Sequence, residues 1–456
     1  MSIPKHIFKQ YDIRGLVDTE ITEDLAEKIG RAYAQFLSSE LQNSEALTVV
    51  VGRDMRESSV AYQGRVMDGL VKSGVRVLDI GLVSTPAFYF AVGHLKAHGG
   101  IMVSASHNPA QYNGFKLTRA NAVPISGDTG IAEIADLVES VEYDLFARGA
   151  IQQVEGIPTL AAKAEFAHAG THPIKKMKIV ADSANGMGAQ YLDELFKLVD
   201  ADVTRMFWDF DGSFPNHEAD PFKEENTEAI RKKVVKVGAD IGITTDGDGD
   251  RIFFVDEKGH LVEPAILRGL LAQIMLRDHP RATICYDIRP GKITRDMIEE
   301  AGGIPSVTRV GHSLIKEQMR SVGAVFGGES SGHFFYAFPT GVYEGPVKVV
   351  TQILQEVTRR GVKLSQIVEP LERYVHSGEI NFVVEDKEGM MRKLTEKFSD
   401  GEITTLDGIT ITYPNFWFNV RGSNTESKLR LNLEAIDRAT MESRRDEIVA
   451  IIQESA

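Results

Sequence analysis

Apolar and polar positions along the chain follow one plan that occurs three times: an apolar strand, a polar loop, an amphipathic helix, a second strand, and a third strand entering a glycine-rich loop. In the first copy LTVVV, Leu47 to Val51, leads into GRDMRESS, and a helix is predicted over about Ala61 to Ser73. Val75 to Asp79 is then the second strand, and Gly100 to Val103 enters SASHNP. In the second copy Lys178 to Ala181 leads into DSANGMGA, Asp202 to Met206 is the next strand, and Ala239 to Ile243 enters TTDGDGDR. In the third, Thr283 to Tyr286 leads into DIRPGKIT, Ser306 to Arg309 is a strand, and Gly323 to Phe326 enters GGESSGH. Short apolar strands separated by helices imply βαβ units and largely parallel sheets. Loops beyond the carboxyl ends of such strands are where ligands bind, and three polar, glycine-rich loops occupy equivalent places.

The tail has a different pattern. From about Val375, strands at Ile380 to Val384, Gly408 to Tyr413, Trp417 to Val420 and Leu429 to Asn432 flank helices near Lys387 to Phe398 and Ala435 to Gln453, the pattern of an α+β domain with an antiparallel sheet. The predicted fold is therefore α/β: three repeated domains with mixed, largely parallel sheets plus a C-terminal α+β domain. Limits fall at about 1–150, 151–256, 257–370 and 371–456.

The length of 456 residues agrees with several domains. A formal net charge of -14 argues against nucleic acid or an anionic membrane as partner. Cys285 is the only cysteine, so no intrachain disulfide can form, which suits a reducing compartment. The start, MSIPKHIFKQYDIRG, lacks the apolar core of a signal peptide. The longest apolar stretch, about Ala265 to Leu276, is broken by Arg268 and reads as a buried helix. A cytoplasmic protein, monomeric or a small homo-oligomer, is expected.

Candidate chemistry sits in the loops. Asp246, Asp248 and Asp250 alternate with two glycines that let the backbone curl, so the three carboxylates can converge on one hard cation. An EF-hand is the nearest rival, because Asp246, Asp248, Asp250 and Glu257 fall at its positions 1, 3, 5 and 12. However, Arg251 stands where that loop needs glycine, and the flanks are strand-like. A solvated acidic turn is the other alternative. Three carboxylates with one arginine favour Mg²⁺ holding a phosphate.

Ser106, in SASHNP, sits at a strand-to-loop junction. It can be a turn residue, a hydrolase nucleophile or a phosphoryl carrier; the G-x-S-x-G elbow is absent, and metal-held aspartates opposite it favour the carrier. Lys116 can serve as general acid or base, or as a solvated surface group. Glu329, Ser331 and His333 combine a carboxylate, a hydroxyl and an imidazole suited to sugar hydroxyls. Arg421, Ser423, Asn424 and Thr425 are the donors of a phosphate site or of a surface turn.

Together these loops resemble, in content and order, the α-D-phosphohexomutases, most closely their bacterial phosphomannomutase/phosphoglucomutase branch. The likeness spans nearly the whole chain and includes FKQYDIRG, GRDMRESS and Gly311-His312-Ser313. SASHNP with DGDGDR is highly specific. The resemblance implies four domains around a central cleft, with Ser106 carried as phosphoserine and Mg²⁺ bound by Asp246, Asp248, Asp250 and the serine phosphate. It implies further that Glu329 and Ser331 bind sugar hydroxyls, and that Arg421, Ser423, Asn424 and Thr425 bind the non-reacting phosphate. Tyr11, Arg14, Lys116, Arg251, His312 and His333 match positions lining the cleft. Lys116 and His333 are then candidates for proton transfer, and Arg251 for steadying the phosphoserine.

The implied reaction moves phosphate between the 1- and 6-positions of mannose or glucose phosphate through a hexose 1,6-bisphosphate, with no membrane or nucleic-acid partner. Three departures stand out: Thr244-Thr245 precedes the metal loop where apolar residues are usual, Arg289 replaces a lysine, and the sugar loop reads GESSGH instead of GEMSGH or GEQSGH. Phosphoglucosamine mutase, a Mg-dependent phosphatase and a non-enzymatic calcium-binding protein are the alternatives.

Overall fold

The computed structural model describes residues 3–41, 47–140, 149–289, 291–422 and 428–454. The chain divides into two units, Met1–Val262 with Ser331–Ser365, and Glu263–Ser330 with Gln366–Ala456. Both are built from α/β layers in which the apolar runs of the sequence become buried strands.

In the first unit, one sheet has the strand order Ile13–Leu16, Tyr112–Arg119, Gly99–Val103, Thr48–Arg53, Arg76–Leu82, Ala150–Gln153. Its inner neighbours are parallel, whereas Tyr112–Arg119 runs antiparallel to both of its partners. Val49, Val51, Ile101 and Val103 point into a core shared with the helix Glu23–Leu41. That amphipathic helix precedes the first repeat, so the repeat plan leaves it out.

A second sheet has the order Ile252–Asp256, Ile241–Thr245, Met177–Asp182, Ala201–Met206, parallel except for the first pair. Every residue of Ile241–Thr245 is buried. The predicted strand starts earlier, at Ala239, but the Ala239 N–H donates to Val234 O at 3.0 Å and so closes the end of the helix Glu228–Val237. The unit is completed by an antiparallel hairpin, Phe334–Phe338 with Gly341–Glu344, and the helix Pro346–Arg360. Glu165, buried on the helix Ile157–His168, accepts the backbone N–H groups of Val347 (2.9 Å) and Lys348 (3.3 Å) at the start of Pro346–Arg360, where otherwise unpaired donors need an acceptor.

In the second unit, Ile304–Thr308, Thr283–Asp287 and Phe326–Gly328 are parallel neighbours. The last of these was expected from Gly323, but the helix His312–Val322 extends to that point. The stretch around Arg268 is the helix Pro264–Asp278. Arg268 itself is fully buried and ion-paired with Asp287, so the charge that breaks the apolar run is an internal anchor. No described helix is long and apolar enough to cross a membrane.

The C-terminal sheet is wholly antiparallel, as the order of its strands and helices predicts: Val375–His376, Lys428–Ala435, Phe416–Gly422, Ile409–Thr412, Glu402–Thr404, with Ile380–Val383 also on Lys428–Ala435. The helices Lys387–Lys397 and Arg438–Gln453 contribute Met390, Leu394, Ile448 and Ile452 to its core. Glu434, from the central strand, accepts from Gly291 N (3.3 Å), Lys292 N (3.1 Å) and Trp417 Nε1 (2.8 Å), which joins this sheet to the start of the helix Lys292–Glu300.

Candidate active site

Two strands of the first unit end at the same place. Gly99–Val103 runs into Ser104-Ala105-Ser106, and Ile241–Thr245 runs into the aspartate loop. The loops touch back to back: a Cβ on Gly247 would stand 2.5 Å from the Ser106 carbonyl oxygen, so only glycine admits this approach. Gly249, at φ +77, turns the loop back so that its N–H reaches Asp246 Oδ1 at 3.1 Å. The Arg251 N–H does the same at 3.1 Å.

Asp246, Asp248 and Asp250 are all buried, and each offers a carboxylate oxygen within 4.8 Å of those of the others. A solvated turn is thereby excluded. Burial, then Asp250 and Asp248, push the Asp246 pKa well above the usual carboxylate value. Burial and Asp250 also raise Asp248, against the pull of Lys116. For Asp250 burial acts upward too, but His333, Lys116 and Arg251 outweigh it and hold the pKa well below the ordinary range. Asp248 Oδ2 accepts from Thr85 Oγ1 at 2.6 Å, while Oδ1 is buried with no hydrogen-bond partner among the described residues. Converging oxygens, one of them unpartnered, make a cradle that fits a hard divalent cation.

Ser106 lies against this cradle. Its Oγ is 3.2 Å from Asp246 Oδ2 and 3.1 Å from His107 Nδ1. Its backbone is left-handed, φ +52, a conformation that costs a residue with a side chain about 1–2 kcal/mol. Burial, with Arg251 and Arg14 nearby, lowers the His107 pKa well below its ordinary value, so the imidazole is neutral.

Lys116, on the strand Tyr112–Arg119, is buried, which rules out a solvated role. Its Nζ is 3.4 Å from Asp250 Oδ2 and 3.7 Å from Asp248 Oδ2. Burial pulls its pKa down, but Asp250, Asp248 and Asp12 more than offset that and leave it raised. These carboxylates favour the ammonium form, so Lys116 begins as a proton donor.

His333 Nε2 is 3.1 Å from Asp250 Oδ1, and its Nδ1 is 2.8 Å from Ser331 Oγ. Residues 251 and 333 also form a backbone bridge, which fixes the imidazole on the aspartate loop. Arg251 Nη1 reaches Asp220 Oδ1 at 3.2 Å. Arg14 Nη1 donates to Asn108 Oδ1 at 2.6 Å, its Nη2 pairs with Asp12, and Tyr11 lies just ahead of that strand. The first unit thus gathers Ser106, Lys116, the three aspartates, Arg14, Arg251, His333 and Ser331.

The remaining candidates belong to the second unit, and the division falls inside the predicted sugar loop, between Ser330 and Ser331. Arg289 donates to Glu329 Oε1 (2.8 Å) and Asp287 Oδ2 (2.6 Å), and those two carboxylates raise its pKa against the effect of burial. Ser330, the position at which GESSGH departs from related loops, turns inward: its Oγ donates to Asp287 Oδ1 (2.9 Å) and accepts from Arg268 Nη1 (3.0 Å). Arg421 is buried and pairs with Glu379. Ser423, Asn424 and Thr425 lie outside the described residues. His312 is the first residue of the helix His312–Val322.

Three contributors were not singled out by sequence reasoning: Thr85, Asp287 and Arg56. GRDMRESS was visible as a motif, but nothing local says that Arg56 faces carbonyls about fifty residues away.

The sequence matches four domain families in succession, all described as phosphoglucomutase/phosphomannomutase: alpha/beta/alpha domains I, II and III over residues 5–144, 160–259 and 264–374, and the C-terminal domain over 379–451. The chain belongs to the phosphoglucomutase/phosphomannomutase family. It is 39% identical over 460 residues to the phosphohexose mutases protein of Xanthomonas campestris pv. campestris strain B100, covering 99% of this chain and 100% of that protein. It is 36% identical over 459 residues to the phosphomannomutase of Escherichia coli K12, covering 98% and 99%. Its fold matches that of a phosphoglucomutase/phosphomannomutase family protein from Burkholderia thailandensis with a TM-score of 0.90 at 30% identity, covering 99% of this chain and 98% of that one.

Proposed function

We propose that this chain is a phosphohexomutase that interconverts the 1- and 6-phosphates of mannose and glucose through phosphorylated Ser106 and a hexose 1,6-bisphosphate. The observation that carries the reading is the placement of Ser106 Oγ 3.2 Å from Asp246 in a cradle of three buried aspartates. Asp246, Asp248 and Asp250, with the serine phosphate, would hold Mg²⁺. When bound, the ion supplies positive charge to offset that of the transferring phosphoryl group.

The residues of the chain divide the remaining work. In the first half-reaction the P–Oγ bond of phosphoserine breaks and a P–O bond to the free sugar hydroxyl forms. Ser106 Oγ, as leaving group, takes a proton from the Lys116 ammonium, which Asp250 and Asp248 keep charged. The sugar hydroxyl gives up its proton to His333 by way of Ser331 Oγ, 2.8 Å from Nδ1, while Asp250 orients the ring through Nε2. The second half-reaction runs these steps backwards from the other end of the turned bisphosphate.

Arg421 with Ser423, Asn424 and Thr425 holds the non-reacting phosphate, and Glu329 and Ser331 read sugar hydroxyls. Tyr11, His312 and Arg289 line the substrate's path, and Arg14 and Arg251 steady the phosphoserine. The preference for mannose and glucose phosphates draws support from relatives named phosphomannomutase. The phosphatase and calcium-binding readings have no comparable support.

The test is the mass of the intact protein and of the Ser106 peptide before and after incubation with glucose 1,6-bisphosphate, beside mutase assays on mannose, glucose and glucosamine 1-phosphates. A single exchangeable phosphate on Ser106, with turnover of the first two sugars, is expected. Steady release of inorganic phosphate with no mutase turnover would overturn the reading.

A further inference from the structure

Ser106 is held in its left-handed conformation by groups at both ends of its backbone. Its N–H donates to Ser104 Oγ at 2.9 Å, and its carbonyl oxygen accepts from Arg56 Nη2 at 2.9 Å. Arg56 does more than meet that carbonyl. Nη2 also donates to Asn108 O at 2.6 Å, and Nη1 to Pro109 O at 2.9 Å and Tyr112 O at 3.0 Å. One guanidinium therefore spans four carbonyls of the segment that carries the serine. A planar fork of donors can do this and a single ammonium cannot.

The guanidinium is fixed in turn. Arg56 is 1% exposed, its Nε lies 3.2 Å from Asp54 Oδ2, and its backbone N–H donates to Asp54 Oδ1 at 3.0 Å. Ser59 Oγ donates to the same Asp54 oxygen at 2.6 Å. The Phe214 ring lies 5.1 Å from the guanidinium carbon. What the arrangement achieves is the direction of one side chain: with its peptide pinned on both sides, Ser106 Oγ faces Asp246.

We propose that Arg56 and Ser104 form a backbone clamp that holds Ser106 in the left-handed conformation from which its hydroxyl addresses the aspartate cradle, so that both are positioning residues for phosphoryl transfer. This rests on the reading of Ser106 as phosphoryl carrier. Released from the clamp, the serine relaxes to a commoner backbone conformation and its Oγ swings off line. Misplacement of a reacting atom by about 1 Å costs on the order of a hundredfold in rate. Substrate binding, which uses other groups, is left alone.

Wild type, Arg56→Lys and Ser104→Ala are compared in three measurements: kcat and KM for glucose 1-phosphate, the rate at which glucose 1,6-bisphosphate phosphorylates Ser106 (followed by intact mass), and Mg²⁺ affinity by calorimetry. Both variants are expected to lose kcat and phosphorylation rate by about tenfold to a hundredfold, with KM, and the Mg²⁺ affinity of the dephosphorylated protein, close to wild type. Full kcat in Ser104→Ala, or a loss confined to KM or to Mg²⁺ affinity in either variant, overturns the clamp. If Arg56→Lys fails to fold, Ser104→Ala, which removes a single hydroxyl, decides the matter alone. A wild-type protein that neither carries phosphate on Ser106 nor turns over the sugar phosphates refutes the carrier reading itself, a result separate from any difference between the variants.

Discussion

Thr85 and Asp248, 163 residues apart in sequence, are joined twice: Thr85 Oγ1 donates to Asp248 Oδ2 at 2.6 Å, and the Thr85 N–H donates to the Asp248 carbonyl oxygen at 3.0 Å. Thr85 opens the helix Thr85–His94, whose preceding Ser84 caps it by accepting from Ala87 N. One carboxylate oxygen is thus fixed by a rigid helix end, and the other, Oδ1, is left for a cation. Thr85→Val keeps the shape and deletes the donor. Loss of such an outer partner costs about 10–100-fold in metal affinity, so Mg²⁺ titration of the variant should show a weaker site with helix content unchanged.

Asp248→Asn should move activity and stability in opposite directions. Burial and Asp250 disfavour the Asp248 carboxylate in the folded chain, so a neutral amide relieves crowding when no cation is present. In chelator the variant should melt at a higher temperature than wild type, while its mutase turnover falls by at least about a hundredfold because a metal ligand has gone. Near-normal turnover would remove Asp248 from the metal site.

How far this chemistry was legible in the sequence depends on how local it is. Ser106 and the three aspartates announce themselves because each loop directly follows an apolar strand, and the glycines between the aspartates let the backbone curl. Arg56 lies in a visible motif, but its partners are carbonyls of another loop, and no side-chain pattern marks them. Thr85 sits in an apolar helix start that looks like core. Arg268 breaks an apolar run and so argues for a buried helix, but its partner, Asp287, ends the strand that follows that helix. Partnerships made across strand ends depend on tertiary packing, which periodicity does not encode.

Glu165 predicts a pH effect outside the candidate site. Burial lifts its pKa from 4.5 to about 8, only partly offset by the N–H groups of Lys348 and Val347. Between those values the folded chain binds more protons than the unfolded one, so the slope of unfolding free energy with pH is negative. The contribution of Glu165 to stability is greatest below pH 4.5, is lost as pH rises towards 8, and is flat above that. Glu165→Gln stays neutral and should lack this component. Urea unfolding from pH 5 to 9 should give a wild-type-minus-variant difference that falls with pH, on the order of a few kcal/mol in total.

Lys116 poses the sharpest choice, because its charge and its proton suggest different roles. As a charge, it balances Asp248 and Asp250, at 3.7 and 3.4 Å. As an acid, it protonates the departing Ser106 oxygen, which requires a proton that can leave. Lys116→Arg keeps the first role and abolishes the second, since a guanidinium does not release its proton in the working range; Lys116→Met abolishes both. If the acid role governs, both variants should lose about 10²–10⁴-fold in kcat, and Lys116→Met should bind Mg²⁺ no more weakly than wild type, because the ammonium places a second positive charge beside the same carboxylates. Should Lys116→Arg keep most of its turnover, charge balance alone is the function of Lys116, and the proton must reach Ser106 from another group in the site.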